Sequence, residues 1–138
     1  KDYIEMQWLM LQQEKPEDYV IATGRQESVR IFIELSAKKL GWGGINWQGK
    51  GLNETGRRKD NNNIVIRVDS RYFRPTEVNS LLGDSKKAKQ KLGWTPKISL
   101  EQLVEEMINH DYLVSKREFF LKDKGFITQE LSEKLNNN

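Results

Sequence analysis

The chain has 138 residues, of which 31% are charged and 36% hydrophobic, with a formal net charge of +3 and no cysteine. That length suits one domain with a modest core, and the lack of cysteine excludes disulfides, thiolate nucleophiles and cysteine metal sites. No apolar run approaches the roughly 18 residues of a membrane helix, so a membrane-spanning role is not expected.

Tyr3, Ile4, Met6, Leu9, Met10 and Leu11 recur at mostly helical spacing and predict an amphipathic helix over residues 2–13, ended by Pro16. The chain enters this stretch directly, without an initiator Met, and so reads as a piece of a longer protein. Tyr19–Thr23 is a short apolar run closed by Gly24, which predicts a buried strand. Ser28 is an N-cap for a helix over 29–40, with Val29, Phe32, Ile33, Leu35 and Leu40 toward the core and Gly41 as the stop. Ile45–Gln48 predicts a weak strand, 49–63 a polar glycine-rich loop, and Ile64–Val68 the clearest strand.

Asp84 or Ser85 caps a short helix ending at Gly93. Ser99 and Gln102 form a capping box that opens a helix with Leu100, Leu103, Val104, Met107 and Ile108 as its core stripe. From Ser115 the chain is charged, with scattered aromatics. The sum is a mixed α/β lobe of about four helices and three short strands. So small a sheet leaves edges that want a partner.

Charge singles out one segment. Residues 50–74 hold seven Lys or Arg against three carboxylates, a local +4 that leaves −1 for the remainder. Such a patch suits a compact anion better than nucleic acid, whose partners spread cations along a whole face. At its end stands Arg71-Tyr-Phe-Arg-Pro-Thr-Glu-Val78. Arg71 and Arg74 are three residues apart, Pro75 stiffens the backbone, and Glu77 follows. A guanidinium fork matches phosphate, and a carboxylate accepts from sugar hydroxyls. The same residues also suit a solvated turn with a structural Arg–Glu pair.

Other patterns point to no chemistry. Tyr112-x-x-x-Lys116 has the spacing of a short-chain dehydrogenase pair, but no glycine-rich cofactor loop precedes it. His110 is the only histidine and lacks a ligand cluster, so no metal is expected. Trp8 and Trp94 read as packing residues. Trp42 and Trp47, beside the glycines, could instead stack on bases. The carboxylate pairs Asp2/Glu5 and Glu105/Glu106 read as solvated charge.

Several blocks together closely resemble the C-terminal part of the GDP-mannose 4,6-dehydratase family. They are Lys1–Gln12, Pro16–Gly24, Ser28-Val-Arg30, Arg71–Val78, Gly83-Asp84 and Lys89-Gln-Lys-Leu-Gly-Trp-Thr-Pro96. The match runs in register over about residues 1–112. It marks 1–115 as a nucleotide-sugar-binding lobe and leaves 116–138 as an unassigned charged tail.

The resemblance implies a small lobe packed on an N-terminal Rossmann domain that this chain lacks. The implied reaction converts GDP-mannose to GDP-4-keto-6-deoxy-mannose and water, with NADP held by the Rossmann half. It places Arg74 on the diphosphate and Glu77 near the ribose, with Arg71 as a further candidate and no catalytic residue in this chain. It also implies a cytoplasmic homo-oligomer. A different nucleotide-sugar epimerase or dehydratase, or a stand-alone RNA-binding module, remains the alternative.

Overall fold

A computed structural model of the chain describes residues 1–74 and 81–126. Four helices and one three-stranded sheet form a small mixed α/β domain: α1 (Asp2–Leu11), α2 (Val29–Lys39), β1 (Ile45–Gln48), β2 (Thr55–Arg58), β3 (Ile64–Arg67), α3 (Lys86–Leu92) and α4 (Leu100–Asp123), with a 3-10 turn at Gly51–Asn53.

Local capping chemistry sets the helix starts. The Ser28 hydroxyl accepts from Ile31 N–H at the head of α2. At α4, Ser99 accepts from Gln102 N–H while the Gln102 side chain accepts from Ser99 N–H, completing the capping box. Ser85 occupies the N-cap of α3, but its side chain makes no cap bond; the Asp84 carboxylate accepts from Lys86 N–H at 2.9 Å instead.

Met6, Ala88 and Trp94 form a buried cluster, with Leu9, Met10, Tyr19, Ile21 and Leu92 packed around it. The indole N–H of Trp94 donates to the Asp2 carbonyl at 3.0 Å. Asp2 was read as solvated charge and is instead buried, its carboxylate accepting from Lys97 N–H at 2.7 Å and Ile98 N–H at 2.8 Å. Those bonds, the Ile98 one foremost, hold the Asp2 carboxyl below its ordinary value of 3.8. Trp8 is also corrected: it is 59% exposed, on the face of α1 away from Met6.

The sheet is antiparallel in the order β1-β2-β3. Ile45 pairs with Arg58 and Trp47 with Gly56, and Gly56 pairs in turn with Ile66, ahead of a register shift at Gly56/Arg57. Gly56 is buried between two isoleucines. A Cβ there would lie 2.9 Å from Ile45 Cγ2 and 2.9 Å from Ile66 Cδ1. On the other side α2 packs against both β1 and α4, burying Ala37, Ile45 and Val104.

Further expectations are revised. The 49–63 stretch holds the 3-10 turn and strand β2, not only loop. Thr55-Gly-Arg-Arg58 has no apolar alternation, and its strand character comes from the two strands that flank it. Tyr19–Thr23 is not a strand, because no described segment supplies a backbone partner for residues 19–22. Its side chains still alternate: Tyr19 and Ile21 join the core cluster while Val20 is half exposed.

Finally, α4 passes residue 115 without a break, so the segment set apart at 116 begins inside a helix. In the expected core stripe of α4 only Val104 is buried, Leu100 and Ile108 are half-buried, and Leu103 and Met107 are exposed.

Candidate functional site

Strand β3 delivers the chain to the arginine motif at one end of the sheet. Asp69 opens a turn there, its carbonyl accepting from Tyr72 N–H at 3.1 Å and its carboxylate from Arg71 N–H at 2.9 Å. The same carboxylate takes the Arg71 side chain through Nη2 at 2.7 Å and Nε at 3.1 Å. The Arg71 guanidinium, then its backbone N–H, hold the Asp69 carboxyl below its ordinary range. The Arg71 side chain thus folds back on Asp69 and closes the turn.

Arg74 is different. It is exposed, and among the described residues it has neither an ion-pair nor a hydrogen-bond partner. Arg71 and Arg74 thus do not form one fork. Glu77 lies outside the described residues.

The turn rests on the connection between β1 and β2. Phe73 Cζ lies 3.9 Å from where a Cβ on Gly51 would stand. Glu54, which ends the 3-10 turn, pairs with Arg30 of α2 at 2.5 Å, and Arg30 stacks 4.2 Å above Trp47. The Trp47 indole donates to Glu34 at 2.6 Å. These contacts tie the end of the sheet beneath the arginine motif to α2. In the sequence Arg30 stands out only as part of a matching block, because a contact across 24 residues leaves no local signal.

Of the seven cations in 50–74, Arg58 and Arg71 have a carboxylate partner among the described residues. Arg58 pairs with Asp60 at 2.5 Å and stacks on Trp42, and Arg57 donates to the Asn62 carbonyl. Lys50, Arg57, Lys59, Arg67 and Arg74 have no acidic partner among the described residues. Trp42 and Trp47 each carry an arginine over one ring face.

The other candidates stand apart. Lys116 Nζ sits 5.9 Å from the centre of the Tyr112 ring, on an exposed helix face rather than in a cleft. His110 is exposed on α4. Among the described residues no group of three His, Cys, Asp or Glu could hold a metal ion, and no helix is long and apolar enough to cross a membrane. An open cleft of about 500 Å³ runs between Tyr3, Arg25 and the 96–100 segment, and Arg74 does not line it.

Comparison with known proteins converges on one family. The family model described as GDP-mannose 4,6 dehydratase matches residues 1–107. A GDP-mannose 4,6-dehydratase of Vibrio cholerae is 49% identical over 135 residues, covering 91% of this chain and 36% of the relative. The GDP-mannose 4,6 dehydratase of Homo sapiens is 51% identical over 111 residues, 80% of this chain and 30% of the relative. GDP-mannose 4,6 dehydratase 1 of Arabidopsis thaliana is 45% identical, covering 91% and 30%.

The chain thus spans about a third of the length of the curated relatives it matches. A match over 91% of 138 residues exceeds 115, so similarity continues into the segment that the sequence reading left unmatched. With the family model matching well over half of its residues, the chain belongs to the GDP-mannose 4,6-dehydratase family.

Proposed function

We propose that this chain is the C-terminal, GDP-sugar-binding part of an NADP-dependent lyase that converts GDP-mannose to GDP-4-keto-6-deoxy-mannose and water. The observation that carries the reading is Arg74: an exposed guanidinium without a partner among the described residues, beside a turn fixed by Asp69 and seated on Gly51. A cation left unpaired while its neighbour Arg71 is neutralised is suited to an incoming anion. Arg74 takes the diphosphate, and Glu77 takes a ribose hydroxyl. Arg71 acts through the turn rather than on the ligand.

The described residues do not fit NADP. Its pyrophosphate needs a glycine-rich turn running from a strand into a helix N-terminus, and the glycines at 41–56 lie in a helix stop, a β-connection and a strand. The cofactor and the acid/base groups therefore belong to an N-terminal Rossmann domain, and no chemical step is assigned to this chain. The Tyr19–Thr23 segment, without a backbone partner among the described residues, is the edge to which that domain is expected to pair. The whole enzyme is proposed to be a cytoplasmic homo-oligomer.

Incubating the intact protein with NADP and GDP-mannose tests this. The expected product is the 4-keto-6-deoxy sugar nucleotide, with UDP- and dTDP-sugars poor competitors. Preferential turnover of a UDP- or dTDP-sugar would assign the chain to another nucleotide-sugar enzyme.

A further inference from the structure

The C-terminal half of α4 is a surface without a described cover. The N-terminal half is docked: Val104 is buried, and Lys1, Arg25 and Lys39 pair with Glu106, Glu101 and Glu105. Past Asp111 the helix continues for about 18 Å, at 1.5 Å per residue. Almost every residue there is exposed, including Phe119 at 72% and Leu113 at 66%. A solvated helix would not carry large apolar side chains in this density.

Their spacing makes a seam. Tyr112, Leu113, Lys116, Phe119, Phe120 and Asp123 follow the i, i+1, i+4, i+7, i+8, i+11 pattern of one helix face, about a third of a turn around from Val104. The family model ends at Met107, so this seam lies beyond the part of the lobe that the model describes.

We infer that the last two turns of the seam, Lys116 to Asp123, pair with the same stretch of a second copy of this chain, antiparallel, about a two-fold axis between Phe119 and Phe120. Charge complementarity selects that occupant. Reversing the helix about that axis sets Phe119 against Phe120 of the other copy and Lys116 against its Asp123, twice over. Among the described residues these charges have only weak exposed contacts: Lys116 with the Tyr112 ring at 5.9 Å, and Asp123 with Lys124 at 3.6 Å. Lys124, at 5.9 Å from the Phe120 ring, lies at the edge of the seam. Two helical segments of this length bury less than the roughly 1,200 Å² of a stable interface, so the pairing adds to other contacts of the assembly. It gives a surface to the homo-oligomer proposed above and rests on that reading.

The test uses intact protein mixed from ¹⁴N- and ¹⁵N-labelled pools and treated with a zero-length carbodiimide. A Lys116–Asp123 cross-link is expected between light and heavy chains, and the isotope label separates it from any link formed within one helix. Lys116→Glu should abolish that cross-link and weaken self-association about tenfold in sedimentation, with Asp123→Lys in the same chain restoring association. Cross-links from Lys116 only to the protein's own N-terminal region, or a charge swap that fails to rescue, would overturn the pairing. GDP-mannose turnover is measured in parallel. Turnover without the cross-link removes this pairing alone, whereas absent turnover challenges the functional reading.

Discussion

Replacing Gly49 by alanine tests whether the β1–β2 connection is a rigid seat for the arginine motif. Gly49 has φ +81, and a Cβ there would fall on the carbonyl oxygen of Asn53 and 3.0 Å from its carbon. The left-handed backbone alone costs an alanine about 1–2 kcal/mol. The collision is with backbone, which no rotamer change relieves, and adds about 1–3 kcal/mol as overpacking or a shifted turn. Gly24 is the control, with φ +74 but nothing within 4 Å of its Cβ position, so Gly24→Ala should cost only the backbone part. Denaturant unfolding of both variants of the intact protein should therefore show Gly49→Ala worse by about 1–3 kcal/mol. Because Phe73 leans on Gly51, Gly49→Ala should also raise KM for GDP-mannose. Two variants within about 0.5 kcal/mol of each other, with unchanged KM, would refute a rigid seat.

Three further outcomes are expected. Met6→Ala removes a fully buried side chain from the cluster with Ala88 and Trp94, and should destabilise by about 2–5 kcal/mol in denaturant unfolding. Asp2 has a folded-state pKa below its ordinary 3.8, so its contribution is present above that value and is lost as pH falls through the folded one. Asp2→Asn should accordingly lower the Tm at pH 7, with the gap to wild type closing as the pH is taken below about 4; a constant gap would remove the ionised carboxylate from the account. The isolated chain should neither turn over GDP-mannose with NADP nor bind GDP tightly, and a micromolar calorimetric isotherm would contradict this.

What the sequence made legible was local. The Ser28 cap, the Ser99–Gln102 box and the stops at Gly41 and Gly93 depend on neighbours within a turn, and each stands where the residues place it. What stayed hidden depends on distant partners. Strand β2 is polar and exists because β1 and β3 flank it. Tyr19–Thr23 has strand residues but no described strand to join.

Asp2 looks solvated in the sequence because its partners, Lys97 and Ile98, lie 95 and 96 residues away. In the arginine motif the two guanidinium groups looked equivalent by spacing. Asp69, two residues before Arg71, was the unused signal that separates them: an Asp followed by an Arg two residues on can close an Asx turn and keep the arginine.

The central claim is that Arg74 meets the diphosphate while Arg71 only shapes the turn. Steady-state kinetics of the intact enzyme with GDP-mannose compares Arg74→Ala with Arg71→Ala. Losing a charge-assisted hydrogen bond costs about 1.5–3 kcal/mol, so kcat/KM for Arg74→Ala should fall about 10- to 150-fold. Arg71 gives up an exposed ion pair with Asp69, a loss of at most about 1 kcal/mol, so its variant should stay within about fivefold of wild type. An unchanged kcat/KM for Arg74→Ala, or a larger loss for Arg71→Ala, would contradict the account.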